Sequence, residues 1–370
     1  REQCIHSDVD LLFLFGDEIP EPAGQLVREV TYPLWDGGLH VSHTIRTLAE
    51  PLTVPEDVEG LTALLDARFL CGHSPLFADF RRAFRETVIR PRADELTDWL
   101  VRTNRTRHDR FGDSSYLLEP NLKEGKGGLR DYHTMLWVGR IASDVREFRD
   151  LEYYGYLSHT EQREMAEALD FIWHIRSHLH YLAGRKVDQL HFDYQEQMAE
   201  HLGYRAEDGQ QPVERFLGDL HIRMERVKQQ HAVFVNELES LWRSRGDDPP
   251  VEGDIGTAGL EVARGMLRFT APEAVAQAPE ILMGIFEASA RLGVPLSAEA
   301  RRLIGNMAEL VDDRFRQSVT AVATFERILT APNTDHNVLG DMMNTGFLRR
   351  FIPELSAIYH RIQYDDYHLF

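Results

Sequence analysis

Cysteine is nearly absent from this 370-residue chain, which holds only Cys4 and Cys71. Neither has a His or a second Cys at metal-ligand spacing. That argues against a disulfide scaffold and a structural zinc site, and two free, buried thiols are expected. Long apolar runs are also missing. Stretches such as Leu11 to Phe15 are far too short to span a bilayer, and the N-terminus carries no signal-like segment. A soluble, cytoplasmic protein without a membrane partner is the expectation. Positive charge is in deficit, with 41 Lys and Arg against 60 Asp and Glu and a net charge of −19. A general nucleic-acid binder needs a cationic face, so nucleic acid is not an expected partner. A nucleotide site stays open, because a few local arginines and a metal ion can hold a triphosphate against that field.

What β signal there is lies in the first fifty residues. Asp8 to Phe15 (DVDLLFLF) alternates and then runs apolar, as a buried strand does. Helical spacing follows over Gln25 to Trp35, Gly37-Gly38 marks a turn, and Leu39 to Ile45 is a second strand. From Val58 onward the pattern is helical. Short helices are marked by Leu61, Leu64, Leu65 and Phe69, and by Leu76, Phe80, Phe84 and Val88. Pro91 interrupts the pattern and Leu96 to Val101 resumes it. A long loop runs from His108 to Arg130, and a loop of that length in a compact domain usually has a task. Ser158 and Glu161 form a capping box. Behind them Met165, Leu169, Ile172, Ile175, Leu179 and Leu182 make one apolar stripe. A second helix enters at Pro212 and carries Phe216, Leu220, Met224, Val227, His231, Phe234, Leu238 and Leu241. The two are expected to pack antiparallel in a bundle. Residues 245–256 (RGDDPPVEGDIG) read as a linker, and the segments 279–292, 298–311 and 315–329 as a further helical unit.

The sharpest chemical feature is Ser7-Asp8-Val9-Asp10. Residues two apart on a strand share a face, with Cα atoms about 6.5 Å apart. Two carboxylates so placed can share Mg²⁺, which prefers hard oxygen ligands and keeps positions for water and phosphate. Nucleotidyl transfer needs little beyond such metal binding and positioning. Asp8 and Asp10 are therefore the candidate catalytic and metal-binding residues. In the loop from Ser115 to Asp131 glycines allow a backbone to approach a ligand. Gly127 and Gly128 are candidates for that, Lys123 and Arg130 are candidate phosphate contacts, and Asp131 reads as the N-cap of a helix from Tyr132. A capped loop without ligand explains the same residues. Asp36, His40, His43 and Arg46 cluster in WDGGLHVSHTIR, at a spacing that matches no common zinc pattern. His174, His178, His180 and His191 read as a packed or solvated helix face, since the zinc-protease arrangement is not there.

The segments SDVDLLFLF, PLWDGGLHVSHTIRT, SSYLLEPNLKEGKGGLRDYHTMLWVGR, QLHFDYQEQMAEHLGY and MMNTGFLRRFIPELSAIYHRIQYDDYH resemble, in the same order, the bifunctional PII uridylyltransferase/uridylyl-removing enzymes. These belong to the polymerase-beta-like nucleotidyltransferase superfamily. The resemblance implies an α+β fold: a small mixed-sheet nucleotidyltransferase core over 1–110, a helical bundle over 111–244, and over 257–370 a helical lead-in to an HD-type domain. It implies transfer of a uridylyl group from UTP to a Tyr of the PII protein with Mg²⁺, in glutamine-responsive nitrogen regulation. Ser7 then stands beside the triphosphate, and Gly127 to Asp131 match the family's shared loop. Three departures follow. A Gly-Gly phosphate-holding turn is expected before Arg1, so the chain is expected to begin inside that motif. The superfamily's third carboxylate position holds His40, with Asp36 as a possible substitute. The chain ends where the HD domain begins, so uridylyl removal and glutamine sensing are expected outside it. Another acceptor, such as glutamine synthetase, or a catalytically weak helical docking scaffold are the alternatives.

Overall fold

A computed structural model describes residues 3–50, 52–53, 57–111, 118–207, 209–243, 253–332 and 337–358. Residues 112–117 of the long loop, most of the 245–256 linker and the segment from 359 onward lie outside the described residues. The chain divides into two compact units, one running to His231 and the other from Ala232, so the division falls inside a single long helix rather than at the linker.

The first unit opens with β1 (Val9–Phe15), α1 (Ala23–Asp36) and β2 (Val41–Thr47). The strands pair in parallel, with Asp10 opposite Ser42 and Leu11 opposite His43. A parallel pair needs a crossover, and α1 supplies it. Gly37 closes α1 and Gly38 (φ +81°) turns the chain back. Trp35 donates its indole N–H to the Val41 carbonyl at 2.9 Å and lies beside His43, which fixes α1 over one face of the sheet. The apolar run of β1 is half-buried rather than buried. Among the described residues β1 has one partner strand.

Helices follow: α2 (Val58–Leu65), α3 (Ser74–Phe84) and α4 (Ala93–Arg110). Pro91 does not separate α3 from α4. The chain stays helical through a π turn at Arg85–Ile89 and a 3₁₀ turn at Arg90–Arg92, which absorb the hydrogen bond that proline removes. Then come α5 (Leu129–Ala142), α6 (Asp150–Tyr153), α7 (His159–Ala183), α8 (Phe192–His201) and α9 (Pro212–Arg243). The capping box forms at Ser158 and Glu161. Met165, Leu169, Ile172, Ile175 and Leu179 of α7, and Phe216, Leu220, Met224 and Val227 of α9, are buried. Arg226 pairs with Glu164, and Arg223 lies 4.1 Å over the Phe171 ring. As α7 advances α9 recedes, so the two run antiparallel.

The second unit is not all helical. It opens with an antiparallel sheet of β3 (Gly253–Asp254), β4 (Leu260–Ala263) and β5 (Met266–Phe269). Arg264 (φ 53°) and Gly265 (φ 70°) make a two-residue hairpin turn with both φ positive, the geometry that matches strand twist. The helical reading of this stretch missed the alternation Leu260, Val262 and Leu267, Phe269, which buries one face. Helices α10 (Ile281–Leu292), α11 (Ala298–Asn306), α12 (Asp313–Arg316), α13 (Val319–Thr330), α14 (Val338–Asn344), α15 (Phe347–Phe351) and α16 (Leu355–Ile358) complete the unit. Phe286, Phe315, Phe347 and Phe351 interlock at its core. Cys4 is buried, whereas Cys71, expected inside, is exposed beside Gly72 in a turn that buries little. No described helix is long and apolar enough to cross a membrane.

Arg264 holds a left-handed conformation without glycine's freedom. Arg264→Asn should stabilise the second unit by about 1 kcal/mol, read as a higher thermal midpoint, while Gly265→Val should lower it.

Candidate functional site

The parallel register sets which side chains share a face. Asp8, Asp10 and Ser42 lie on the face away from α1, and His40 stands next to Asp8, one residue before the Val9–Val41 pair. The Val9 N–H donates to the His40 carbonyl at 2.8 Å, which fixes that junction. Asp8 and Asp10 are both exposed. Ser42 donates its hydroxyl to Asp10, and the Lys186 ammonium donates to Asp8. That bond holds the Asp8 carboxyl below the usual carboxylate range, with Lys123 and His40 adding smaller attractions.

Lys123 reaches this edge from the glycine-rich loop. Burial pushes its ammonium pKa down, and the Arg130 charge pushes it further. Arg130 donates to Glu124 at 3.1 Å and lies 5.3 Å over the Trp137 ring. Burial opposes ionisation of Glu124, but Arg130, Lys123 and Arg107 together outweigh it and lower the carboxyl pKa. The structure thus brings Asp8, Asp10, His40, Ser42, Lys123, Arg130 and Lys186 to one region.

It does not bring in every candidate. His43 packs edge-on to Phe13 on the α1 face, opposite the carboxylates, because it is one residue out of phase with Ser42. Asp36 ends α1, exposed, and among the described residues makes no side-chain hydrogen bond or ion pair. Arg46 is on the carboxylate side but pairs with Leu14, four residues beyond Asp10, and meets Glu50 at 3.9 Å. Ser7 closes a turn, its hydroxyl oxygen accepting from the Cys4 N–H at 2.9 Å.

Asp131 is not an N-cap. Helix α5 begins at Leu129 with Gly128 as its cap, and Asp131 sits in the first turn. Its buried carboxylate accepts from the Gly127 N–H at 2.7 Å, from His108 Nε2 at 2.7 Å and from Arg107. Burial would raise this carboxyl, but the charge of His231, the His108 bond and Arg107 outweigh it and hold the pKa far below the carboxylate range. Gly127 and Gly128 have packing reasons. At Gly127 (φ +76°) a Cβ would fall 2.0 Å from the Met224 carbonyl oxygen, and at Gly128 one would lie 2.9 Å from three loop carbonyls. Both glycines are buried, so the cationic side chains of this loop, rather than its glycine backbone, face the carboxylates.

A second network fixes the entry to β1. Arg176 Nε donates to Asp188 Oδ1 at 2.7 Å and its Nη1 donates to Cys4 Sγ at 3.3 Å. His180 Nδ1 accepts from the His6 N–H at 3.4 Å, which leaves Nε2–H to donate to Asp188 at 3.3 Å. Burial opposes ionisation of Asp188, yet His180 and Arg176 hold its carboxyl far below the carboxylate range. Lys186 and Asp188 escaped the sequence reading. They lie on the α7–α8 connection, and their only local mark is charge just after Gly184, the left-handed cap of α7. His191 pairs with Glu119 at 3.2 Å, and His178 stacks on His201 at 3.4 Å between ring centres.

Hard oxygen donors on one exposed face fit a divalent cation if Lys186 swings off Asp8. Among the described residues no group of three or more His, Cys, Asp or Glu is placed to hold a metal ion. The two carboxylates would supply the protein ligands, with the remainder from phosphate and water, as Mg²⁺ favours.

Comparison with known proteins adds independent findings. Residues 98–235 match the family model "GlnD PII-uridylyltransferase", and residues 261–351 match "Uridylyltransferase GlnD third domain". A bifunctional uridylyltransferase/uridylyl-removing enzyme of Cereibacter sphaeroides is 34% identical over 99% of this chain and 40% of its own length. A relative of the same name from Novosphingobium aromaticivorans is 32% identical over 99% of this chain and 41% of its own. The chain thus spans about two-fifths of the length of these curated relatives. No solved structure matches.

The buried network makes two predictions. Asn104 donates to His231 Nε2 at 2.6 Å, and burial depresses the His231 pKa from 6.5 to about 4. The unfolded chain takes up this proton near pH 6.5 and the folded chain does not until about pH 4. The stabilising contribution is therefore complete above pH 6.5 and lost as pH falls to about 4. At about 1.36 kcal/mol per pH unit this amounts to roughly 3 kcal/mol. Urea unfolding followed by tryptophan fluorescence should show that slope, and His231→Gln should flatten it. Gly127→Ala should cost roughly 2 kcal/mol or more in the same assay, since both its φ and the Met224 carbonyl oppose a Cβ.

Proposed function

We propose, on the premise that this chain belongs to the GlnD uridylyltransferase family, that the Asp8–Asp10 edge of its parallel sheet carries nucleotidyl transfer. A uridylyl group passes from UTP to a tyrosine of the PII nitrogen-regulatory protein, and pyrophosphate leaves. The observation that carries this reading is the convergence of exposed Asp8 and Asp10 with Lys123 and Lys186 in a chain that is otherwise strongly acidic.

Asp8 and Asp10 would hold Mg²⁺, which when bound neutralises triphosphate charge and stabilises the charge developing at the reacting phosphorus. Ser42 holds the Asp10 carboxylate in place through its hydroxyl. Lys186 keeps Asp8 ionised and moves to phosphate as the nucleotide enters. Lys123 and Arg130 share Glu124 as a counter-ion, at 3.6 Å and 3.1 Å, and two cations on one carboxylate keep net positive charge for a phosphate. In the reaction the tyrosine oxygen bonds to the α-phosphorus, the bond from that phosphorus to the bridging oxygen breaks, and the phenolic proton passes to water or to a carboxylate of the pair. His40, beside Asp8, has no carboxylate to offer, so the metal chemistry rests on two acids.

Calorimetry tests the reading. UTP should bind this chain with Mg²⁺ and much more weakly with EDTA, and Asp8→Asn/Asp10→Asn should abolish the metal-dependent part, a loss of at least about a hundredfold. Metal-independent binding, or equal binding by the double variant, would sink the assignment.

A further inference from the structure

The second unit holds a cleft of about 500 Å³ lined by Gly305, Ala308, Arg316, Thr345, Gly346, Arg349, Arg350, Pro353 and Ser356. That volume is in the range of small-molecule sites. Among the described residues its lining includes three arginines and no carboxylate, in a chain whose net charge is −19. An anion in a cleft lined by guanidinium groups is favoured by their charge.

The arginines are not equivalent. Arg316 pairs with Asp313 from its own helix and donates through Nη1 to the Arg350 carbonyl at 3.2 Å. Those bonds fix one wall and hold the Arg350 backbone beside it. The Arg350 side chain is exposed, and among the described residues it makes no hydrogen bond or ion pair. Its guanidinium is a fork of donors suited to two oxygens of one phosphoryl group. The hydroxyl of Thr345 is committed to the Asp341 and Met342 carbonyls, so among the lining hydroxyls Ser356 is the one open to a ligand. Gly305, Ala308, Gly346 and Pro353 project little or nothing polar into the cleft, which leaves room for a body larger than the anion itself.

We propose that this cleft is an anion site that takes the phosphoryl end of a small phosphate monoester. Its described lining belongs to the second unit and does not include the carboxylate edge of the first. Arg350 supplies the free bidentate fork, Arg316 the fixed charge, and the small residues the space for the esterified group. Carboxylates fit less well, since a dianion matches several guanidinium groups better than a single charge does.

The test is calorimetry on the full chain in EDTA, with inorganic phosphate and with a 5′-nucleoside monophosphate as probes. Both should bind, the monoester more tightly. Arg350→Gln should weaken each at least tenfold, Arg350→Glu should abolish binding, and Arg350→Lys should keep part of it. Asp8→Asn/Asp10→Asn should bind as the parent does. The Arg350 variants should keep the parent's thermal midpoint without ligand, since that side chain is exposed. No heat with either probe at millimolar concentration, binding indifferent to Arg350→Gln, or binding lost in the carboxylate variant would each overturn the proposal.

Discussion

The first unit depends on one buried charge. The Asp131 carboxylate is out of contact with water and accepts from Arg107, His108 and the Gly127 amide. A buried carboxylate is costly unless it is paired and hydrogen-bonded, so these three donors have to meet at one point. Meeting there joins α4, the glycine-rich loop and the first turn of α5. Gly127 seats the same loop on the α9 backbone, where a methyl group would collide with Met224. Once the loop is locked from behind, Lys123 and Arg130 stand at its front.

A parallel logic holds the other half of the site. Cys4 and His6 are tied to α7 through Arg176 and His180, and both of these converge on Asp188. The strand carrying Asp8 and Asp10 therefore enters the sheet from an anchored position. The connection that supplies Asp188 also supplies Lys186 to Asp8. A buried acid, Asp131, and a half-buried one, Asp188, act as organisers, and two exposed acids, Asp8 and Asp10, face solvent. Environment separates the roles of chemically identical groups, since desolvation and donors set which carboxylates are spent on structure.

Much of the architecture was legible locally. The β1–α1–β2 order, the Ser158 capping box, the Pro212 start and the apolar stripes of α7 and α9 follow from periodicity and cap chemistry, which act over a few residues. The β4–β5 hairpin was not, because four-residue strands give too few alternations to stand out from a helical background, and its turn uses arginine where asparagine is the usual sign. Pro91 read as a break, yet π and 3₁₀ turns carry the helix past it. Asp131 read as a cap from its place before an apolar run, whereas Gly128 takes that position and frees the acid for burial.

By itself the sequence determined the paired acids, their common strand face and the cationic loop, since alternation on a strand and the chemistry of Asp, Lys and Arg need no tertiary information. Tertiary structure alone decided which candidates meet. It set His43 on the α1 face and His40 beside Asp8, gave Gly127 to packing on α9 and Gly128 to the carbonyls of its own loop, and brought in Lys186 and Asp188 from more than 170 residues away. The physical reason is that register and burial are properties of pairs of segments. No local pattern records which distant backbone a glycine must admit, or which distant cation a carboxylate will find.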